Sequence, residues 1–301
     1  MLMLLWGIDL GGTKIEGIVL ESREHPTVLR RVRVPTEAHM GYAHILQQIV
    51  KLVEVMIAEV GIKPARIGLA TPGTLDPSTG MIKNSNTTAL NEKKLQRDLE
   101  RLLNIPIPIA NDANCFAVAE ATLGAVPEKF PSARIVFGAI MGTGIGGGLV
   151  VDGKVLNGGQ GIAGEWGHNY LDESGGNCYC GKVGCVERVI SGPALERFYQ
   201  QQSGSYLPLV AIVAKHRAGN DPYATQTVQR LLRFFGRAMA TVINILDPDV
   251  VVLGGGLSNI ELLYTDGVRA VEQHVFNPDL NTTFLAPKLG DSAGVFGAAL
   301  L

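Results

Sequence analysis

The chain opens on LLWGIDLGGTKIEGIVLES, where a mostly apolar run at residues 4–9 meets Gly11 and Gly12 and apolar character resumes at 15–20. An apolar run, a glycine turn and a second apolar run predict a β-hairpin. The second half repeats the pattern: RIVFGAIMGTGIGGGLVVDGKVLNGG has an apolar run at 135–141, the turn Gly142-Thr143-Gly144 and another run at 149–151. Two halves that open on the same strand, turn and strand predict a duplicated domain, although two unrelated glycine hairpins would read the same way.

Between the hairpins the apolar positions change period. YAHILQQIVKLVEVMIAEV has helical spacing, RIGLATPG reads as a short strand ending at a Pro-Gly turn, KLQRDLERLLN as a second helix and IPIPIA as a proline-punctuated strand. A helical pattern from Thr225 to Leu246 stops before Pro248, and the strand VVVL then leads into Gly254, Gly255 and Gly256, ahead of a further helix. Strands alternating with helices place the chain in the α/β class. No low-complexity linker separates the halves, so the crossings between them are expected within residues 110–134 and near 286.

At 301 residues and 32.1 kDa the chain can bury a substantial core and is long enough for about two domains. Hydrophobic residues at 46% against 18% charged exclude long disordered segments. A formal charge of −2 and a pI near 6.3 offer no footprint for nucleic acid or an anionic membrane, which points to small-molecule partners. The opening MLMLLWGIDL has no basic leader, and Asp9 interrupts it too early for a spanning segment. A buried strand and a cytoplasmic location are expected, where thiols stay reduced.

Chemistry gathers at the glycine turns. In DLGGTK, Asp9 ends a strand and Gly11, Gly12, Thr13 and Lys14 form the turn, whose backbone N–H groups suit a phosphate while the carboxylate suits Mg²⁺ held through water. An ordinary hairpin turn would look the same. Gly142, Thr143 and Gly144 make a second such turn, and Gly254, Gly255 and Gly256 a third, which would let a nucleoside approach backbone or would serve helix–strand packing. In NDANC, Asp112 follows Asn111 at a strand-to-helix junction, where a carboxylate can take the proton of an attacking hydroxyl or cap the helix. Three of the four cysteines, Cys178, Cys180 and Cys185, lie close together after His168. One imidazole and three thiols suit a closed tetrahedral Zn²⁺ site; a redox pair lacks the Cys-x-x-Cys spacing, and a disulfide leaves an odd thiol. Cys115, on an apolar helical face, is read as core.

DLGGTK, NDANC, GTGIGGG with GGQGIAGEWGH, CYCGKVGC and DPDVVVLGGG stand in the order of the ROK family of repressors, open reading frames and sugar kinases, which the chain resembles over nearly its whole length. The resemblance implies a duplicated ribonuclease-H-like, actin-like ATPase fold of two lobes with an interlobe cleft. A smaller lobe would comprise residues 1–111 plus 287–301, and a larger one residues 112–286 with the zinc loop. It also implies ATP, Mg²⁺ and structural Zn²⁺, a homodimer and phosphorylation of a hexose. Only eight residues precede Asp9, without the DNA-binding segment of the family's repressors, so a kinase is expected. By the resemblance Asp112 is the catalytic base, and Gly73, Asn86, Asn111, Asp112, Glu165, His168 and Glu187 bind the sugar. Asp9 positions Mg²⁺, and the three glycine turns hold ATP. KNSNTTALN, residues 83–91, resembles the fructokinase (mannofructokinase) branch and implies D-fructose as acceptor, with glucose, mannose or an N-acetylhexosamine as alternatives. A sugar sensor without turnover is the alternative outside enzymes. Thr71 and Ala89 depart from the pattern, standing where relatives carry an aliphatic and an aromatic residue. The cysteine loop is expected to wall the sugar, so that Cys180→Ser weakens sugar affinity well before ATP affinity.

Overall fold

The computed structural model describes residues 4–301, and the first three residues of the apolar opening lie outside the described residues. In chain order the first elements are β1 (Leu5–Leu10), β2 (Lys14–Leu20), β3 (Val28–Pro35), α1 (Tyr42–Val60), β4 (Gly68–Thr71), β5 (Thr74–Leu75), β6 (Ile82–Lys83), α2 (Leu95–Leu103), β7 (Ile109–Asn111), α3 (Asp112–Thr122) and α4 (Ala125–Lys129). There follow β8 (Ile135–Met141), β9 (Ile145–Val151), β10 (Lys154–Val155), α5 (Val186–Ile190), α6 (Gly192–Ser203), α7 (Leu209–Ala218), α8 (Pro222–Leu246), β11 (Val250–Gly254), α9 (Asp266–Glu272), β12 (Thr283–Leu285) and α10 (Ala293–Ala299).

Two five-stranded sheets have the orders β3-β2-β1-β4-β7 and β10-β9-β8-β11-β12. In the first, β1 pairs antiparallel with β2 and parallel with β4; in the second, β11 lies parallel between β8 and β12. The same order built twice identifies the two hairpins as a duplication. Among the described residues one compact unit comprises residues 4–128, 148–163 and 288–301, and the other residues 129–147 and 164–287. Residues 112–128 and 148–163, expected in the larger lobe, cluster with the first unit.

In the first unit α1 buries Ile45, Ile49, Leu52, Val53 and Met56 against Trp6, Ile8 and Leu10 of β1, the i, i+4, i+7 stripe that its sequence spells. Gly61 in the left-handed conformation ends it. Of IPIPIA only Ile109 and Ala110 are strand, at the start of β7. Pro106 and Pro108 have no N–H to give, but their carbonyls accept from Ile67 and Leu69, so the segment still runs beside β4. The last helix lies directly on the sheet: a Cβ at Gly68 would fall 1.8 Å from the Ala298 carbonyl oxygen. Cys115 is fully buried with Ala70, Ala110 and Ala298. Glu120, also fully buried, accepts N–H groups from Ala125 at 2.8 Å and from Lys288 and Leu289 at 3.0 and 2.8 Å, tying α3 to the returning chain.

In the second unit α8 starts at Pro222 behind Asp221, whose carboxylate accepts from Tyr223 and Ala224, three residues before the apolar pattern begins. Asp247 at φ 44° ends it ahead of Pro248. After β11 the expected helix is replaced by two short 3-10 turns, Gly256–Asn259 and Glu261–Tyr264, because Gly255 turns the chain at φ 75° and lies against the Met141 carbonyl.

Candidate active site

Sheet register fixes the site of the first unit. Asp9 on β1 pairs across to Ala70 on β4, Ala70 to Ala110 on β7, and Thr71 to Asn111, so Asp9, Thr71 and Asn111 stand at the same end of neighbouring parallel strands. Asn111 caps α3, its Oδ1 accepting the Asn114 N–H at 2.8 Å. Asp112 is therefore the first helical residue and not the cap, and its Oδ1 takes the Ala113 N–H at 2.8 Å. Because Asn111 spends its carbonyl oxygen on the cap, its amide N–H₂ is the group left for a ligand.

Two carboxylates meet here. Loss of hydration, then the charges of Asp112 and Glu16, push Asp9 up to about 6, with Lys14 opposing. Asp112 is exposed at its outer edge but otherwise hemmed in by protein, and loss of hydration raises it too, against the Ala113 hydrogen bond. Like charges held close and poorly hydrated leave a place for a cation and make each carboxylate a stronger base.

The DLGGTK turn closes through Gly11 N–H to the Lys14 carbonyl at 2.9 Å, and the Thr36 hydroxyl donates to the Gly11 carbonyl at 2.6 Å. A Cβ at Gly12 would lie 3.6 Å from Thr87 Oγ1. Gly73, at φ 84°, sits so near Ser85 that a Cβ would be 2.8 Å from its N. Gly12 and Gly73 thus meet the KNSNTTALN stretch from two sides, with exposed Asn86 between Ser85 and Thr87.

A second group forms within the other unit. Gly142 N–H donates to the Gly144 carbonyl at 2.9 Å, and Gly256 is near enough that its N would lie 3.8 Å from a Cβ at Gly142. Glu187, in the first turn of α5, accepts the Ile145 N–H at 2.9 Å. Glu165 precedes the 3-10 turn Trp166–His168, which is fixed by Trp166 Nε1–H donating to the Gly146 carbonyl at 2.7 Å and by edge-to-face packing on Phe137.

His168, Cys178, Cys180 and Cys185 gather here, every ligand atom within 4.8 Å of the others. The Cys180 and Cys185 sulfurs are 3.6 Å apart, and Cys178 Sγ is 3.6 Å from His168 Nδ1. Zn–S bonds of about 2.3 Å in a tetrahedron set sulfur–sulfur edges of about 3.8 Å. The donors and their spacing therefore fit Zn²⁺. With Nδ1 turned to the thiols, His168 Nε2 meets Tyr179 Oη at 3.0 Å, a partner that the cysteine spacing did not announce.

The structure thus collects the predicted residues into two groups, one in each unit. Sequence reasoning missed Glu16, which is 4% exposed and faces Asp9 across β1 and β2. Burial alone would raise its carboxyl, but hydrogen bonds from Arg33, at 2.8 Å, and Arg31 hold it below the ordinary value. Its alternation on β2 was the available signal: Glu16 stands between Ile15 and Gly17 on a strand whose other residues after Lys14 are buried. A recess of about 540 Å³ lined by Phe130, Asn244, Asp247 and Phe276 contains none of the predicted site residues.

A model of the ROK family matches residues 5–301. The chain is 36% identical over 309 residues to the N-acetyl-D-glucosamine kinase of Aliivibrio fischeri, with 99% of each covered. Among solved structures it is similar to the ROK hexokinase from Thermus thermophilus, at TM-score 0.87 and 34% identity over 99% of this chain and 97% of that one. It is also similar to a ROK family glucokinase from Streptomyces griseus in complex with glucose and AMPPNP, at TM-score 0.76 and 27% identity over 98% of each. The duplicated α/β architecture is the two-lobed actin-like ATPase fold of these proteins. No described helix is long and apolar enough to cross a membrane.

Proposed function

Since the chain belongs to the ROK family and is an ATP-dependent sugar kinase, we propose that it phosphorylates the 6-hydroxyl of a hexose, with Asp112 as base. The observation that carries this is the pair of crowded carboxylates at the ends of neighbouring elements, Asp9 on β1 and Asp112 at the start of α3. The hydroxyl proton passes to Asp112 as its oxygen bonds to the γ-phosphorus and the bond to the β-phosphate oxygen breaks, releasing ADP. A carboxylate raised above its ordinary value takes that proton more readily. Asp9 would hold Mg²⁺ through water, and the metal offsets phosphate charge.

Within the first unit, Asn111 offers its amide N–H₂ to the sugar, alongside Asn86 and the Gly73 backbone, and the Gly11–Lys14 turn takes phosphate. Within the second, Glu165, His168 and Glu187 bind hydroxyls, the turns Gly142–Gly144 and Gly254–Gly256 take nucleotide, and His168, Cys178, Cys180 and Cys185 hold structural Zn²⁺. A cytoplasmic homodimer is the state that the resemblance implies.

For the acceptor we favour D-fructose, because the segment 83–91 that resembles fructokinases lies against Gly12 and Gly73. N-acetyl-D-glucosamine is the second reading, supported by the name of the 36% identical relative. A coupled assay with fructose, mannose, glucose and N-acetylglucosamine separates them. We expect the highest kcat/KM with fructose. A higher value with N-acetylglucosamine would install the second reading, and product phosphorylated elsewhere than O6 would remove both.

A further inference from the structure

The phosphate turn of the second unit is held from outside at both ends by one short stretch of chain. Its exit is fixed by Glu187, whose Oε2 accepts the Ile145 N–H at 2.9 Å. A Cβ at residue 144 would come 2.7 Å from that same oxygen, so glycine there leaves room for the carboxylate. Its entry is fixed by Gly192, whose N–H donates to the Gly142 carbonyl at 2.9 Å. Glu187 stands in the first turn of α5 and Gly192 two residues past its end, and the residue just before α5 is Cys185, one of the four clustered metal ligands. The cysteine loop and the glycine turn are therefore joined through five helical residues.

We propose that Glu187 is a positioning residue for the nucleotide, fixing the Gly142–Gly144 turn through the Ile145 amide in addition to its part in binding sugar. This rests on the assignment of that turn to ATP phosphates. A charge-assisted hydrogen bond to a backbone N–H is among the stronger ones available, and a turn fixed before the ligand arrives loses less freedom on binding. The same carboxylate then serves both substrates, and the cysteine loop supports the nucleotide through it.

The test is the affinity of Mg²⁺ with a non-hydrolysable ATP analogue, measured by calorimetry without sugar. Glu187→Ala should bind it about tenfold more weakly, the loss expected of one charge-assisted hydrogen bond. Glu187→Gln should return toward the parent value, because its amide carbonyl can still accept from Ile145, while its sugar KM stays raised for want of the charge. Unchanged analogue affinity in Glu187→Ala overturns the inference. Gly142→Ala separates this from failure of the underlying assignment, since a methyl there has ordinary room in the fold but intrudes on a phosphate. If Gly142→Ala weakens the analogue and Glu187→Ala does not, the role of Glu187 falls alone; if neither does, the turn is not a phosphate site and both fall.

Discussion

The two glycine turns are copies of one device, charged in different ways. Each closes on itself at 2.9 Å, and each has the carbonyl of its first glycine held from outside, Gly11 by the Thr36 hydroxyl and Gly142 by the Gly192 N–H. The charge does not repeat. Two residues before the first turn stands Asp9; two residues before the second stands Ile140. The first turn carries its carboxylate on its own strand, in a cross-strand row with Glu16 and Arg33. The second takes one from elsewhere, Glu187 on α5. Duplication preserved the backbone of the turn, while the acid groups diverged, so substitutions in the first unit should strike turnover and those in the second should strike affinity.

The largest effect expected is at Asp112. Asp112→Asn should lower kcat by at least about 10²-fold, because the amide cannot accept the hydroxyl proton, and should leave sugar affinity nearly intact. Near-normal turnover would break the contrast at its stronger end. In the second unit, Cys180→Ser should lose zinc by elemental analysis and weaken sugar and nucleotide affinity together, by roughly tenfold or more each. Here the geometry amends the expectation from sequence that sugar affinity would fail first, because Cys185 leads directly into the short helix that carries Glu187. Full zinc loss with nucleotide affinity unchanged would restore the older expectation.

What the sequence made legible was whatever follows a period or a local rule. The stripe of α1, the strand at 135–141 and the two glycine turns stand where their patterns place them, because each depends on neighbours within a few residues. Illegible were groups whose meaning needs distant partners. Glu16 reads as a solvated strand residue until Arg31 and Arg33 close over it, and Glu120 as a helix-surface charge until three backbone N–H groups converge on it. The cap at α3 was open in the sequence for a related reason: Asn and Asp stand side by side, both suit the role, and only backbone geometry shows that Asn111 fills it.

The strand-borne charge of the first turn also predicts a pH response. Asp9 titrates near 6 in the folded chain against an ordinary 3.8. Between these values the folded state keeps a proton that the unfolded state has released, so the contribution is complete below about pH 4 and lost as pH rises through 6. Taken alone the group is worth on the order of 3 kcal/mol. Metal-free protein should therefore lose thermal stability between pH 4 and 7 by more than Asp9→Asn does, and Mg²⁺ with nucleotide should reduce the difference by stabilising the ionised form. Parallel curves for the two proteins would show that Asp9 is not crowded as described.

The smallest effect expected lies one residue beyond the same row. Past the Asp9–Ala70 pair stands Thr71, and past the corresponding Ile140–Gly254 pair stands Gly255. Thr71 is fully buried, and its hydroxyl finds no hydrogen-bond partner among the described residues. A buried hydroxyl left unpaired costs about 1–3 kcal/mol relative to one that is satisfied, and valine has nearly the same shape without it. Thr71→Val should therefore raise thermal stability by up to about 1 kcal/mol with kcat unchanged. If instead the variant is less stable, or its sugar KM climbs severalfold, the hydroxyl serves a bound water or the sugar. The first turn would then differ from the second by a hydroxyl as well as by its carboxylate.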